Sequence, residues 1–356
     1  MQTVHLDLNE TISASVMGAP ADVAQFLAEF EHYRLEVLRR RPQHIDVVIA
    51  PVPAPTSEHI VVNKKYAVGD DFIYARDRHK VALWQVRIDG LDRDRTRVQL
   101  WGNRFARIVW PRWFFETLIR LKYHHLGFSM LHSCTLCDDG GGRVLAASPS
   151  TGKTTVLLNW LGAGNPFCSD EYSIFKDGRV YSYVTPFRFH AHNLKRNAGV
   201  LAGIELWDRM QIQARTALLK ATFGYADVTW KTGLGRTFPN TRIVESCPLR
   251  GIYLLTKSQG GEVARMELSA DDMATKLLAM NQFEWFGFEP YLRAWAYAHP
   301  ASWVASMPGH ERQILLPQLG AADFAEIHVP REIEQRHYEA VLRATGLTGR
   351  CTPRPR

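Results

Sequence analysis

The chain lacks the long apolar run that a membrane-spanning helix requires, since no stretch approaches roughly 20 apolar residues. Its first residues lack the basic and apolar regions of a secretory signal peptide. Cysteine is scarce and odd in number, five in 356 residues, which argues against a disulfide framework. Cys134 and Cys137 have metal-like spacing, but residues three apart on a strand point to opposite faces, so we expect no shared zinc ion. These absences predict a cytoplasmic protein without a membrane partner.

Long runs of one charge are also missing. The formal net charge is +7, with 43 lysine and arginine residues, and such a balance suits anionic ligands or a nucleic-acid partner. The basic residues are dispersed, however, and no run is longer than Arg39-Arg40-Arg41. No recognition-helix, zinc-finger or RNA-binding signature accompanies them. The sequence therefore predicts no nucleic-acid partner.

One stretch carries a chemical signal of its own, because a Ser/Thr-rich turn follows an apolar run and precedes a helical pattern. This order is typical of a phosphate-binding loop, in which backbone N–H groups meet phosphate oxygens. Lys153 adds a positive charge, and Thr154 offers a hydroxyl to Mg²⁺. Ala147 stands where the usual motif has glycine. The alternative is a loop that caps an ordinary helix. The predicted ATP-binding residues are Ala147, Ser148, Ser150, Thr151, Gly152, Lys153, Thr154 and Thr155.

The segments around this loop are predicted strands. Met130–Cys137 and Arg143–Ala147 are joined by a Gly-rich turn, so we expect them to pair antiparallel. Downstream, Pro166–Phe175 is a predicted strand with Asp170 and Glu171 in its middle. Two adjacent carboxylates are costly to bury unless a metal or a proton offsets their charge. A Mg²⁺-nucleotide site would offset it.

In these residues the chain resembles the HPr kinase/phosphorylase family, whose catalytic domain is related to phosphoenolpyruvate carboxykinases. The resemblance runs from about Leu131 to Phe175. It rests on the pair Leu131-His132, on the loop with Lys153-Thr154, and on Asp170-Glu171 after a short helix. It implies an α/β (α+β) fold, with a mixed-sheet P-loop kinase domain over residues 126–356.

The resemblance also implies roles for single residues. Asp170 would accept the proton from an attacking hydroxyl, with His132 and Lys153 as the other catalytic residues, near the transferred phosphate. Thr154 and Glu171 would help to hold Mg²⁺. Both acidic positions are commonly Asp in the family, so the longer Glu171 leaves open whether it or Asp170 is the main metal ligand.

The expected reaction is transfer of the γ-phosphoryl group of ATP, with Mg²⁺, to an alcohol hydroxyl. HPr enzymes carry an acid-Ile/Val/Leu-Arg-Gly signature shortly after the acidic pair, and the comparable Pro248-Leu-Arg-Gly251 lies far from it. The chain is therefore more similar to HPr-kinase-like enzymes that phosphorylate serine on peptides, and serine of a peptide or protein is the first expected acceptor. The alternatives are a small-molecule hydroxyl kinase and a nucleotide-binding regulatory module without turnover. The sequence leaves the choice of ATP over GTP and a homo-oligomer open.

The remaining segments predict the outline of the fold. Residues 1–125 are expected to form a smaller, antiparallel β-rich domain with a helix from Asp22 to about Arg40. A helix over Trp110–His125 follows, with Pro111 in its first turn, and the chain is expected to end in helices up to about Thr345.

Two basic features downstream of the acidic pair bear on ligand binding. Arg188 is predicted to reach a nucleotide or substrate phosphate, with an exposed loop arginine as the alternative. The basic segment 193–240 is predicted to be a lid or a peptide-binding segment, with a solvated helical insertion as the alternative.

Overall fold

The protein is described by a computed structural model, which covers residues 1–35, 42–149, 151–189, 206–222, 230–232, 238, 240–285 and 287–347. Over these residues it is a mixed α and β structure with two large mixed sheets, which is compatible with an α+β fold. Contacts divide the chain into a first unit, Met1–Met130 with Asn281–Leu315, and a second unit, Leu131–Met280 with Leu316–Arg356. In the described ranges no helix is both long and apolar enough to cross a bilayer.

Strands and helices are numbered here in chain order. The strands are β1 (Gln2–Leu8), β2 (Ile12–Gly18), β3 (Arg34–Leu35), β4 (Ile45–Ile49), β5 (Ile60–Val62), β6 (Tyr66–Val68), β7 (Phe72–His79), β8 (Ala82–Asp89), β9 (Thr96–Gly102), β10 (Ser129–Asp138), β11 (Gly141–Ala147), β12 (Phe167–Ser169), β13 (Tyr172–Lys176), β14 (Arg179–Tyr181), β15 (Phe187–Phe189), β16 (Trp230–Thr232), β17 (Ser246–Ser258), β18 (Ala264–Met266) and β19 (Asp323–Pro330). The helices are α1 (Pro20–Leu27), α2 (Ala106–Trp110), α3 (Thr117–His125), α4 (Lys153–Gly162), α5 (Leu206–Ala221), α6 (Ala270–Gln282), α7 (Glu289–Ala298), α8 (Met307–Gly320) and α9 (Gln335–Ala344).

The sheet of the first unit has the order β3-β1-β2-β4-β9-β8-β7-β6-β5 among the described residues. It is mixed rather than antiparallel, because β4 pairs parallel with both β2 and β9. The expectation of an antiparallel sheet was wrong for a physical reason. A hairpin, β1–β2, precedes α1, and the chain then crosses over α1 to β4, a connection that gives parallel neighbours.

The helix expected from Asp22 to about Arg40 is shorter than predicted. It begins at Pro20 and ends at Leu27, and a single 3₁₀ turn, Glu31–Tyr33, then leads into β3. Residues 36–41 lie outside the described part of the chain. The apolar residues after Leu27 continue the helical spacing in the sequence, although the helix has ended. Phe30, just before the 3₁₀ turn, and Tyr33, at its end, are buried without a helix.

A buried ion network groups residues 281–315 with the first unit. Arg120 on α3 is 2% exposed and donates to the Asn281 carbonyl at 3.2 Å and to Glu311 Oε1 at 3.0 Å. His124 Nε2 lies 2.9 Å from the same carboxylate oxygen. Burial by itself raises the pKa of Glu311, but the attraction of His124 and Arg120 and their hydrogen bonds outweigh it and lower that pKa to about 2.

The division into units therefore differs from the boundary at 125/126 drawn from the sequence. The contacts place it at 130/131 and return 281–315 to the first unit. Charge partners 161 and 191 residues apart along the chain leave no local pattern that would reveal this grouping.

The sheet of the second unit has the order β11-β10-β13-β14-β17-β19-β18 over the described strands, and β12 also pairs with β10. The antiparallel pairing of β10 with β11 confirms the predicted hairpin. The long strand β17 runs parallel to β11 and to β19. Helices α4 and α9 share one buried apolar cluster with these three strands. The carboxyl ends of parallel strands, where ligands of α/β proteins commonly bind, thus meet at the loop after β11.

Two expectations for the second unit were wrong. The acidic pair does not lie inside one strand, because the strand divides into β12 and β13 with Asp170 and Glu171 between them. Asp170 and Glu171 thus lie outside both strands. The last part of the chain is also not only helical, since β19 precedes α9 and lies inside the sheet next to β17.

Candidate phosphate-binding site

The loop between β11 and α4 is held in its shape by one glycine. Gly152 has φ +119° and ψ 1° immediately before Lys153, the first residue of α4. A Cβ at this position would also stand 2.3 Å from Cδ1 of Ile333. Side chains other than glycine rarely adopt this backbone conformation. Glycine is therefore required here both by the backbone and by the packing.

The same turn leads directly into the first turn of α4. The Thr151 amide donates to the Ser148 carbonyl at 3.2 Å, and the Val156 amide donates to the Gly152 carbonyl at 3.0 Å, which is the first helical bond of α4. The first amides of a helix have no intrahelical acceptor, and the helix dipole favours an anion there. Thr154 lies in this first turn and is half-buried, while Ala147 is buried and Ser148 exposed. Ser150 lies outside the described residues.

Lys153 contacts the histidine of the resemblance. Its Nζ lies 3.1 Å from Nε2 of His132 on β10, and Lys153 is only 7% exposed. An ammonium group has donors and no acceptor, so the contact requires an unprotonated Nε2 on His132. The His132 ring stands edge-on to Tyr172 at 5.6 Å between centroids. The structure thus brings together two of the predicted catalytic residues from elements 21 positions apart in the sequence.

The acidic pair lies in the break between β12 and β13, next to the strand β10 that carries His132. The Ser133 amide donates to the Glu171 carbonyl at 3.0 Å, which ties the break between β12 and β13 to β10. Asp170 is 7% exposed. Below the break, the Ser173 hydroxyl lies 2.7 Å from the Thr135 hydroxyl and 2.9 Å from that of Ser169. These side-chain hydrogen bonds hold the three strands that carry the carboxylates and the histidine.

Glu171 and Arg188 form an ion pair across this site. Nη1 of Arg188, on β15, lies 3.2 Å and 3.3 Å from the two carboxylate oxygens of Glu171. The side chain of Arg188 is 10% exposed and that of Glu171 is 17% exposed. In this structure the two side chains neutralise each other's charge. The predicted contact of Arg188 with a phosphate and that of Glu171 with a metal would therefore each require this ion pair to open.

A buried thiol, Cys134, lies within the field of Lys153 and Asp170. Burial raises the pKa of Cys134, on β10, to about 12; the charge of Lys153 opposes this increase and that of Asp170 adds to it. The protonated form of the thiol is thus favoured.

Sequence reasoning missed the segment that closes the loop from the other side. Residues 331–334 connect β19 to α9, and Ile333 packs on Gly152. This segment ends in a capping box, in which the Glu334 amide donates to Nδ1 of His337 at 2.9 Å. The alternating apolar residues of β19 and the Glu334/His337 spacing are the sequence signals that would have located it.

Comparisons of this chain with protein-family models and with curated proteins find no match. The likeness to HPr kinases therefore rests on the residues and spacings described above, and the roles that it implies are predictions.

Proposed function

We propose that this chain is an ATP- and Mg²⁺-dependent kinase with a P-loop domain of the HPr kinase/phosphoenolpyruvate carboxykinase type, and that it transfers the γ-phosphoryl group to an alcohol hydroxyl. Serine of a peptide or protein is the first proposed acceptor and a small hydroxylated molecule the second. The observation that carries the proposal is the 3.1 Å contact between Lys153 at the start of α4 and His132 on β10. Phosphoryl transfer depends on such positioned charge more than on covalent chemistry.

The side chains of the site fit a hard divalent cation. Asp170, Glu171 and Thr154 offer carboxylate and hydroxyl oxygens, the ligands that Mg²⁺ prefers. Asp170 is 7% exposed, and a nearby cation lowers the cost of burying a carboxylate. When bound, Mg²⁺ would offset the charge that develops on the phosphates. Its ligands would come from Thr154, Glu171 and Asp170.

In the proposed reaction Asp170 receives the proton of the acceptor hydroxyl as the hydroxyl oxygen bonds to the γ-phosphorus. The bond from that phosphorus to the β–γ bridging oxygen breaks, and ADP leaves with the electron pair. Lys153 and the amides at the start of α4 stabilise the phosphate charge. His132 holds Lys153 in place through Nε2 and lies beside the transferred group. Arg188 moves from Glu171 to a phosphate group, two of whose oxygens accept hydrogen bonds from its guanidinium.

The Glu171–Arg188 pair also supports a second candidate, a nucleotide-binding regulatory module without turnover. A carboxylate that remains paired to arginine is a poor metal ligand, because the two cations compete for the same oxygens. In that case the loop and Lys153 bind the nucleotide, and no acceptor is phosphorylated.

The test is transfer of label from γ-labelled ATP, with Mg²⁺, to serine-containing peptides and to small alcohols. Asp170→Asn and Lys153→Ala should each lower transfer by at least about 100-fold, a typical effect of losing a general base or a preorganised charge. Asp139→Asn, which changes an exposed carboxylate in the β10–β11 turn, is the matched control and should retain activity. Tight binding of ATP without transfer to any acceptor or to water would favour the regulatory module. Equal transfer by wild type and Asp170→Asn would contradict the assigned base.

A further inference from the structure

Three buried cysteines converge in the second unit from three different strands. Cys137 lies on β10, Cys168 on β12 and Cys247 on β17. Their sulfur atoms all lie within 4.8 Å of one another, and the Sγ atoms of Cys137 and Cys247 are 3.5 Å apart. The three residues are 1%, 0% and 7% exposed. A cysteine with only a packing role behaves as a small apolar residue, and packing alone does not account for contact with two other cysteines.

The separations suit a bound ion. Tetrahedral or trigonal coordination with metal–sulfur bonds of about 2.3 Å places two thiolates roughly 3.8–4.0 Å apart. A disulfide requires about 2.05 Å between the sulfurs. The observed spacing, from 3.5 Å to at most 4.8 Å, brackets the metal-bound value. Small side-chain movements are therefore enough to close the three sulfurs on one ion.

The backbone around the cluster is fixed by the sheet. The Cys137 amide donates to the Pro166 carbonyl at 3.3 Å, and Cys247 pairs with Val180 of β14. Gly142 leaves room for the third sulfur, since a Cβ there would stand 2.8 Å from Sγ of Cys247. The ligand atoms are thus presented by rigid strands, the kind of support that a metal site needs.

The donor set determines which ion would bind. Thiolates select the soft ions Zn²⁺ and Cu⁺ over Mg²⁺ and Ca²⁺. In the described residues, no histidine or carboxylate joins the three sulfurs in a group of possible ligands. Three sulfurs complete a trigonal Cu⁺ site, and Zn²⁺ would add a water molecule as its fourth ligand.

We propose that Cys137, Cys168 and Cys247 bind one thiophilic cation, Zn²⁺ or Cu⁺, through three thiolates. The three thiols release their protons to solvent as the ion enters. The ion joins β10, β12 and β17 and stabilises the sheet that carries His132 at the other end of β10. The site is independent of the proposed kinase activity, because it uses none of the residues assigned to phosphoryl transfer.

The test uses the full chain, reduced under anaerobic conditions, freed of metal with a chelator and loaded separately with Zn²⁺ or Cu⁺. The content of each ion, measured by mass spectrometry after gel filtration, should be about one per chain for the preferred ion. Thermal unfolding of the loaded protein should move upward by several degrees, as expected for a ligand that binds the folded state.

Single serine substitutions locate the ligands. Cys137→Ser, Cys168→Ser and Cys247→Ser should each lower the bound ion to less than about a fifth of an equivalent per chain. Cys134→Ser, a buried cysteine of the same strand β10, and Cys351→Ser are the matched controls and should retain the ion. The wild-type complex supplies a measurement that does not depend on folding of the variants, because X-ray absorption should find about three sulfur neighbours near 2.3 Å.

Four results would overturn the proposal. One is binding of neither ion by the wild type. Another is equal binding by wild type and the three cluster variants, and the third is a first shell of nitrogen or oxygen without sulfur. A Cys137–Cys247 disulfide that persists in the purified protein and blocks loading with both ions would likewise replace the metal site by a redox pair.

Discussion

Gly152→Ala tests most directly how the loop between β11 and α4 depends on the conformation and packing of its glycine. The glycine has φ +119°, and an added Cβ would meet Ile333 Cδ1 at 2.3 Å. Ordinary carbon contacts begin at about 3.5 Å, so the Ile333 methyl must move by about 1.2 Å. A change of rotamer achieves this for about 1 kcal/mol. The backbone conformation costs about 1–3 kcal/mol in addition. We therefore expect α4 to lose about 2–4 kcal/mol of stability against opening.

Hydrogen exchange of the α4 amides, read by mass spectrometry, measures this loss locally. Ile333→Ala in the same chain separates the two causes, because it removes the clash and leaves the backbone strain. We expect it to recover less than half of the loss. Gly164→Ala is the matched control: that glycine, just after α4, has φ +76° and open space around it, and we expect about 1 kcal/mol. A loss below about 0.5 kcal/mol for Gly152→Ala, or full recovery with Ile333→Ala, would refute the reasoning.

Three further predictions concern charges. The Glu171–Arg188 pair is mostly buried, so a double-mutant cycle with Glu171→Gln and Arg188→Gln should give a coupling of about 1–3 kcal/mol in urea unfolding, and a value near zero would show that the pair is not formed. The pKa of Glu311 is lowered from 4.5 to about 2 in the folded state, so the stabilisation from its carboxylate is complete above pH 4.5 and is lost as the pH falls toward 2. Glu311→Gln should therefore be less stable than wild type at pH 7, and the difference in stability should shrink on acidification. A difference that does not depend on pH would contradict this assignment. Burial lowers the pKa of Lys122 from 10.5 to about 8. Between these pH values the unfolded chain binds more protons than the folded chain, so stability should rise with pH there. Lys122→Met should lack this rise in thermal unfolding scans, and an identical pH profile in the two proteins would contradict the role of Lys122.

The strand–loop–helix arrangement of β11 and α4 was predictable because its signals are local. A strand, a turn rich in small residues and a helix follow one another within about 20 residues. The Gly-rich turn before β11 also predicts the hairpin with β10. The contact of Lys153 with His132 follows once that hairpin forms, since β10 and the start of α4 then lie at the same end of β11.

The parts that the sequence did not reveal depend on partners far along the chain. β19 lies between β17 and β18, yet its short run Asp323–Pro330 follows one helix and precedes another, so a helical ending was the simpler reading. The β1–β2 hairpin turns through Asn9 and Glu10 with φ of +55° and +56°. Glutamate is not a residue that favours this conformation, so the turn carries no strong signal.

The cysteine cluster shows the same limit. Cys137 was weighed only with Cys134, its neighbour in sequence, whereas its contacts in the fold are Cys168 and Cys247. Those two residues are 31 and 110 positions away in the numbering, and only the pairing of β10 with β12 and the closure through β17 bring them together.

The most direct test of the central claim is calorimetric titration of the full chain with ATP in the presence of Mg²⁺, comparing wild type with Lys153→Ala. The account predicts saturable binding of about one nucleotide per chain and a loss of at least about tenfold in affinity in the variant, equivalent to about 1.4 kcal/mol. Thermal unfolding should show that the variant is folded. No binding to the wild type at millimolar ATP, or equal affinity in the two proteins, would contradict the assignment of this loop as a nucleotide site.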